Sequence, residues 1–346
     1  MKKRLEDSGE LSFFEKIKKV IGDFWYDTKV DLHELLHDPN KPKKVNHYKA
    51  KRKKKWMDII FVWSVLILPI IMTIIFWLYG TLISIPIAFE QYSPTGELSY
   101  GFNNFKFIIN AFQTGDILFE AFFNTLKYFF FGLLVQTPLQ YLVSYFLYKK
   151  IKWDGFFRYV FFIPSMVSSV IISSLFIYLV GPDGPVQILL GKITGNPELL
   201  LLRNSSTALG TMLFYNVWVG VAGGMVMNLA AFTRIPVEVI EAGVLDGVNI
   251  WKEIRYLILP MTWPFFGTML MMQCVGIFGA SGPALLLTGG GYGTYDIGFY
   301  VYELTVSGSK TSESIGGAIS LLQGALTLPI ALIVRHFVNR IEPVEF

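Results

Sequence analysis

Six long apolar segments constrain the fold of this chain more than any other feature of its sequence. They cover residues 57–79, 121–147, 157–180, 208–232, 261–286 and 316–338. Each is close to or above the roughly 20 residues that a helix needs to cross the hydrocarbon core of a bilayer. Inside hydrocarbon the backbone must satisfy its own hydrogen bonds, and a helix does this within a single segment. The sequence therefore predicts an all-α membrane protein with six transmembrane helices.

The composition agrees with a bilayer as the solvent. Hydrophobic residues make up 53% of the 346 residues and charged residues only 16%, against about 25% charged in ordinary soluble domains. The 17 tyrosines and 8 tryptophans suit a protein with two membrane–water interfaces. The single cysteine, Cys274, lies in an apolar segment, so no disulfide can form within the chain and a small buried hydrophobe is expected.

Lysine and arginine are concentrated in alternate loops. Nine of them lie between Lys41 and Lys55, before the first segment. The second-to-third connection and the fourth-to-fifth connection are also basic, with Lys149, Lys150, Lys152, Arg234, Lys252 and Arg255. The positive-inside rule then predicts that both termini and these two connections are cytoplasmic. The run at 41–55 could bind nucleic acid, but its position beside a span favours a membrane flank, and no nucleic-acid partner is expected.

Residues 1–56 form an N-terminal extension to the domain at 57–342. Apolar residues between 11 and 36 recur at helical spacing with lysines among them. The pattern predicts an amphipathic cytoplasmic helix, which either lies on membrane lipid or packs on a partner subunit.

The same extension contains His33-Glu34-Leu35-Leu36-His37, which matches the H-E-x-x-H zinc pattern. With Leu245-Asp246-Gly247 it resembles the pattern of intramembrane metalloproteases, a distant alternative function. The motif lies in polar sequence about twenty residues before the first span, where a dry zinc cavity is hard to build. We therefore expect no metal site and no catalytic residue.

The connection between the fourth and fifth segments, at 232–260, carries helix-end signals. Pro236 suits a first helical position, with Thr233 near enough to cap it. Gly247 can end that helix in a left-handed conformation, and Asn249 can cap a second short helix that ends near Pro260. The pattern predicts two short helices with one sharp joint.

This connection resembles the cytoplasmic "EAA" loop in membrane subunits of binding-protein-dependent ABC importers. The matching positions are Glu241, Ala242, Asp246, Gly247, Leu259 and Pro260, while Gly243 and Val248 replace alanines of the pattern. The resemblance covers about residues 57 to 342 and implies the type I ABC importer permease fold. It also implies multi-pass insertion in a bacterial or archaeal cytoplasmic membrane.

The resemblance further implies partners. The helix that starts near Pro236 would be a coupling helix seated on an ABC ATPase subunit, with Glu241 facing a basic residue there. Two ATPase subunits, a second permease chain and an extracellular or periplasmic solute-binding protein would complete the importer. The chain has no G-x-x-x-x-G-K-[ST] motif, so ATP and Mg²⁺ would be held by the partner ATPase and no cofactor by this chain.

A second resemblance concerns the solute. Thr288-Gly289-Gly290-Gly291 with Tyr300-Val301-Tyr302 looks like a stretch found after span five in the carbohydrate-uptake branch of this family, although Tyr292 replaces its proline. Asn103-Asn104-Phe105 and Asn124-Thr125 also resemble that branch. The resemblance implies a carbohydrate, in particular an oligosaccharide; a peptide or an amino acid remains an alternative solute.

Polar and aromatic residues in spans four and five are candidates for the solute path. They are Tyr215, Asn216, Trp218, Asn228, Gln273, Phe278 and Ser281. Sugars bind by aromatic stacking and by hydrogen bonds to amides or hydroxyls, and neither span carries a charged residue deep inside it. Each of these residues could equally hold helices together.

Overall fold

The computed structural model describes residues 59–93, 95–195, 200–279 and 283–340. Within them, six helical stretches are long and apolar enough to cross a membrane. They are Ile59–Phe89, Ile117–Tyr148, Ser169–Thr194, Ala208–Phe232, Ile250–Val275 and Lys310–Val338. The prediction of an all-α protein with six membrane helices is therefore confirmed. The predicted N-terminal helix and the motif at His33–His37 lie outside the described residues.

The elements follow one another as twelve helices and one small hairpin in the described part of the chain. They are α1 (Ile59–Phe89), β1 (Glu90–Tyr92), β2 (Leu98–Tyr100), α2 (Asn103–Thr114), α3 (Ile117–Tyr148), α4 (Asp154–Met166), α5 (Ser169–Val180), α6 (Pro185–Thr194), α7 (Ala208–Phe232), α8 (Val237–Leu245), α9 (Ile250–Val275), α10 (Ala284–Leu287), α11 (Ile297–Val306) and α12 (Lys310–Val338). β1 and β2 pair antiparallel, with Gln91 opposite Ser99. The chain divides into two units at Gly80, and the second begins at Thr81.

The first and third predicted spans have different limits in the structure. The first continues ten residues beyond Tyr79, to Phe89, where a loop was expected. The third was expected to be one helix over 157–180. The chain instead breaks at Val167, whose backbone is extended (φ −86°, ψ 145°), and forms α4 and α5. Hydropathy registers apolar content and does not detect a two-residue break between apolar helices.

The fifth span begins at Ile250 and not near residue 261. The second helix of the connection is therefore the start of α9, and the prediction of two short helices is wrong for the second. The helix passes through Pro260 by way of a π-helical segment, Glu253–Ile258. This wider turn lies where the ring of Pro260 would otherwise meet the carbonyl four residues earlier.

Three clusters of buried side chains form the core of the second unit. The first joins α2, the start of α3, α11 and α12 around Leu118, Ala121 and Ala318. The second joins α5, α7 and α10 around Phe176 and Met212. A third cluster lies at the end of the molecule that carries α8. It contains Tyr141, Tyr145, Phe232, Ile235, Ile254 and Ile258.

Helices α3 and α7 are held together by polar side chains on a small-residue surface. The Gln140 side-chain amide donates to the Gly220 carbonyl (2.9 Å), and the Ser144 hydroxyl lies 3.2 Å from the Met225 carbonyl. A Cβ on Gly224 would lie 2.2 Å from Gln140 Oε1. Glycine there lets the glutamine approach the α7 backbone, as small residues do in membrane helix packing.

The five-residue turn after α3 contains two non-glycine residues in the left-handed region. Lys150 has φ 50° and Trp153 has φ 71°. Each left-handed conformation costs about 1–2 kcal/mol for an L-residue. The surrounding packing must therefore hold this turn in place.

The segment 288–296 is fixed to α3 by two adjacent side chains. The Asn124 amide donates to the carbonyls of Gly293 (3.0 Å) and Tyr295 (2.9 Å). The Thr125 hydroxyl accepts from the backbone N–H of Ile297 (2.9 Å). Asn124 and Thr125 are almost fully buried. Both belong to the resemblance to the carbohydrate-uptake branch, as does the segment that begins at Thr288. We call the hydrogen bonds by which they hold this segment the Asn124 clasp.

We expect Asn124→Ala to destabilise the protein by about 1–3 kcal/mol, because two buried carbonyls lose their donor. Thermal unfolding in detergent measures the loss, and limited proteolysis should show faster cleavage within 288–296. Asn110→Ala, an exposed change on α2, is the matched control. Equal melting curves for both variants would contradict the clasp.

Candidate functional site

Helix α8 begins at Pro236, which occupies the N-cap position with extended backbone (φ −59°, ψ 136°). The prediction that Thr233 caps this helix is wrong, because its hydroxyl donates to the Ala230 carbonyl at 2.9 Å. Glu238 lies in the first turn, where the positive end of the helix dipole favours a carboxylate.

Gly243 is the buried residue of α8. A Cβ at this position would lie 2.6 Å from the terminal Cδ1 of Leu257. The helix therefore packs directly on the π-helical segment of α9. The glycine that replaces an alanine of the resembled pattern thus permits a closer approach than alanine would.

The joint after α8 has the predicted geometry. Gly247 is left-handed (φ 68°), and the N–H of Val248 donates to the Gly243 carbonyl at 3.0 Å, which is a Schellman-type helix end. Asn249 caps α9, because its side-chain oxygen accepts from the N–H of Lys252 at 3.0 Å. The joint is therefore a defined bend with its backbone groups satisfied.

The other face of α8 is uncovered and largely apolar. Leu245 is 88% exposed, and Val244 and Val237 are 63% and 62% exposed. The carboxylates of Glu238 and Glu241 are exposed beside them. An apolar surface with an acidic rim is typical of a protein docking site.

The predicted loop residues thus separate into two groups. Glu241, Ala242, Asp246 and Gly247 are exposed on α8 and its joint. Leu259 and Pro260 are partly buried within α9 and do not lie on the exposed surface.

A polar cavity of about 190 Å³ lies among α3, α7 and α9. Its described lining residues are Gln136, Thr137, Gln140, Gly224, Asn228, Phe266, Met269 and Gln273. The Thr137 hydroxyl donates to Gln273 Oε1 at 2.9 Å. Four amide side chains, one hydroxyl and one aromatic ring converge here without a charged group, which suits hydrogen bonding to a neutral polyhydroxyl ligand.

The predicted path residues are only partly brought together. Asn228 and Gln273 share the polar cavity. Tyr215 and Trp218 pack with Phe176, and the Tyr215 hydroxyl lies 2.8 Å from Ser173 Oγ. Trp218 borders a separate apolar cavity of about 610 Å³.

The remaining three predicted path residues lie elsewhere. Asn216 is partly buried on α7. Phe278 is buried against Phe122 in the first cluster. Ser281 lies outside the described residues.

Gln136, Thr137 and Gln140 were not among the predicted path residues, although they supply one wall of the cavity. The sequence carries a signal for them. Two glutamines four residues apart in an apolar segment share one helix face, and a membrane helix buries such a face against protein.

The loop that the Asn124 clasp holds is also tied internally. The hydroxyls of Thr288 and Thr294 lie 2.6 Å apart, and Asp296 caps α11 by accepting from the N–H of Phe299 at 2.9 Å. Burial raises the pKa of the Tyr295 phenol, and its hydrogen bond to Glu303 raises it further. Tyr295 therefore stays a neutral donor at physiological pH.

The described residues contain no group of three or more His, Cys, Asp or Glu side chains that could hold a metal ion. Asp246, the second half of the metalloprotease alternative, is exposed at the end of α8.

We expect Gly243→Ile to destabilise the protein by about 1–3 kcal/mol, because the side chain must force α8 away from Leu257. Thermal unfolding measures this, together with protease cleavage at 246–249. Val244→Ile adds a methylene on the exposed face of the same helix and should melt like the wild type. A Gly243→Ile protein as stable as this control would contradict the close packing of α8 on α9.

Comparison with known proteins gives two relatives in sequence and one solved structure of the same fold. The chain is 25% identical over 240 residues to the arabinooligosaccharides transport system permease protein AraP of Bacillus subtilis, covering 66% of this chain and 74% of that protein. It is 25% identical over 289 residues to the sn-glycerol-3-phosphate transport system permease protein UgpA of Pectobacterium atrosepticum, covering 80% of this chain and 93% of that protein. A solved bacterial alginate ABC transporter, in complex with an alginate pentasaccharide-bound periplasmic protein, contains a chain of the same fold. The TM-score is 0.69 at 24% identity over 83% of this chain and 97% of that one.

The family described as the binding-protein-dependent transport system inner membrane component matches residues 129–343. This stretch is well over half of the 346 residues and includes α8, its joint and the polar cavity. The chain is therefore a member of the binding-protein-dependent transport system inner membrane component family, a transport subunit and not an enzyme.

Proposed function

We propose that this chain is a permease subunit of an ATP-driven importer and, with a second permease, forms the path for an oligosaccharide delivered by a solute-binding protein. The observation that carries the proposal is the exposed α8, fixed to α9 within the region that matches the family. A docking helix rigidly attached to a membrane helix can transmit the movement of a partner into the membrane.

Helix α8 is the coupling helix in this proposal. Its apolar face at Val237, Val244 and Leu245 docks on an ABC ATPase subunit, and Glu241 faces a basic residue of that subunit. ATP and Mg²⁺ are held by two such ATPase subunits. Their closure moves α8, and the packing of Gly243 on Leu257 carries the movement into α9.

The orientation follows from the same assignment. With α8 cytoplasmic, an even number of spans returns both termini to the cytoplasm, in agreement with the loops rich in lysine and arginine. The segment 288–296 then lies on the outer side, where a solute-binding protein docks. The membrane is the cytoplasmic membrane of a bacterium or archaeon, and the outer surfaces of the spans contact its lipids.

The uncharged polar cavity supports a carbohydrate as solute. Amides and hydroxyls can replace the water around sugar hydroxyls, whereas a zwitterionic peptide or amino acid would meet no counter-charge among the described lining residues. One of the two relatives is named as an arabinooligosaccharide transport permease, and the structural neighbour is an alginate transporter. The glycerol-3-phosphate relative makes a small phosphorylated polyol the rival to test.

Uptake into proteoliposomes containing the complete importer tests the proposal. The chain is purified with its natural partner subunits and solute-binding protein and given labelled oligosaccharides, peptides or sn-glycerol 3-phosphate. ATP-dependent uptake of an oligosaccharide alone is expected. Uptake of only the peptide or the phosphate would overturn the carbohydrate assignment, and ATP-independent uptake would overturn the importer assignment.

Leu245→Asp should detach the ATPase, because a carboxylate would be buried unpaired in the docking surface. We expect the ATPase recovered with the purified chain to fall at least about tenfold, following a loss of 1.4 kcal/mol or more. Leu98→Asp makes the same change at another exposed leucine, 48% exposed on β2 and outside the six candidate spans, and should leave recovery unchanged. Full recovery with Leu245→Asp would refute docking at this face.

Asn228→Leu should reduce solute uptake about tenfold or more while leaving the ATPase bound, because the cavity loses an amide and gains an apolar side chain. Met227→Leu changes the neighbouring residue, which is 48% exposed on the same helix, and serves as the control. Unchanged uptake at low solute concentration with Asn228→Leu would remove the cavity from the solute path.

A further inference from the structure

Glu253 is a buried carboxylate that the coupling-helix mechanism does not yet use. It begins the π-helical segment of α9 and is 7% exposed. Removing a carboxylate from water costs several kcal/mol unless other groups neutralise and hydrogen-bond it. Its partners therefore show what this position holds together.

One partner, Tyr145, lies in the last turn of α3, and the other, Lys149, is the C-cap residue of that helix. Lys149 Nζ lies 2.5 Å from Glu253 Oε1, and the Tyr145 hydroxyl donates to Glu253 Oε2 at 3.1 Å. Tyr145 and Lys149 are four residues apart, so they present their polar atoms on one helix face. The lysine ammonium also lies 5.9 Å from the centroid of the Tyr145 ring.

The network lies beside the packing of α8 on α9. Gly243 of α8 meets Leu257, four residues beyond Glu253 and in the same π-helical segment. Ile254 and Ile258 from that segment share the third cluster with Tyr145 and Tyr141 of α3. A continuous set of contacts therefore runs from α8 through the segment into α3, which carries the glutamines of the polar cavity.

We propose that Glu253, Lys149 and Tyr145 form a buried joint that transmits the movement of the coupling helix into α3. The inference rests on the proposed function and adds a second membrane helix, α3, to which the movement of α8 is passed. Movement of α8 turns α9 directly through Gly243, and it draws α3 along through the ion pair. Lys149 is thus a positioning residue as well as one of the cationic residues that orient the chain in the membrane.

The first test compares solute imported per ATP hydrolysed in proteoliposomes. Glu253→Gln and Lys149→Gln remove the charge attraction with little change in size. We expect this ratio to fall at least about fivefold while ATP hydrolysis continues. The exchanged pair Glu253→Lys with Lys149→Glu should recover at least half of the wild-type ratio, which a merely destabilised protein would not do.

A surface ion pair supplies the matched control. Arg158 and Asp154 lie four residues apart at 3.8 Å, with exposures of 53% and 37%, and such pairs contribute little. Asp154→Asn and Arg158→Gln, which break this pair, should keep the wild-type ratio. A wild-type ratio in Glu253→Gln, or a fall in the exchanged pair as deep as in the single variants, would overturn the joint.

A second test needs no solute and so separates this inference from the proposed function. Cys274 is the single cysteine of the sequence, so Cys274→Ala gives a cysteine-free chain in which Gln136→Cys reports on the cavity wall of α3. ATP with vanadate should change its rate of reaction with a charged methanethiosulfonate. Adding Glu253→Gln should abolish the change, and adding Asp154→Asn should leave it.

The outcomes of the two tests are distinct. A nucleotide-dependent change that survives in Glu253→Gln, or one that is absent from the parent complex, overturns transmission to α3 through the joint. Absence of oligosaccharide uptake by the wild-type complex, with the nucleotide-dependent change intact, overturns the carbohydrate assignment and leaves the joint standing.

Discussion

Polar side chains in a membrane protein must find their partners within the protein, and that constraint organises this structure. Gln140 and Ser144 donate to or approach carbonyls of α7, and Asn124 donates to carbonyls of the segment 288–296. Because the surrounding hydrocarbon offers no alternative partner, each bond fixes a helix against a particular neighbour. Small residues such as Gly224 lie opposite these polar side chains and leave the space that they occupy.

The π-helical segments show how the same constraint accommodates irregular backbone. One lies at Gly132–Gln136 in α3 and another at Glu253–Ile258 in α9. In the first, the Gly132 carbonyl accepts from the backbone N–H of Thr137, so the widened turn keeps its hydrogen bond and the Thr137 hydroxyl is left to donate to Gln273. Both of these segments adjoin parts of the proposed function, the polar cavity in one case and the packing of α8 in the other, and π-bulges are frequent at functional sites.

The sequence predicted the parts of the fold that depend on local chemistry. The number of spans followed from hydropathy, and the fourth span was placed at its observed ends. The joint after α8 followed from Gly247, which lacks a Cβ and so tolerates the left-handed conformation, and from Asn249, whose own side chain caps α9. The prediction failed at Pro260, which was read as a helix boundary, because the π-helical segment just before it lets α9 continue.

The candidate sites likewise contain features that local sequence predicts and features that only the packing of the helices decides. The exposed face of α8 could be anticipated from its pattern, but no local signal shows that Phe278 packs against Phe122 while Asn228 and Gln273 converge with α3. Which polar residue faces a cavity and which faces a neighbouring helix depends on the rotation of each helix, and that is fixed by packing over many residues. The partners of Glu253 are invisible in sequence for the same reason, since Lys149 lies more than a hundred positions earlier.

Because α3 is long, a tilt of the helix about one end displaces its other end by several ångströms. At a rise of about 1.5 Å per residue, Asn124 lies roughly 37 Å along the helix from Lys149. If the helix pivots where Lys149 meets Glu253, a tilt of about 5° displaces Asn124 by roughly 3 Å, more than a hydrogen bond can stretch. A small change of angle at the Lys149 end would therefore be amplified at the Asn124 end, where α3 holds the segment 288–296.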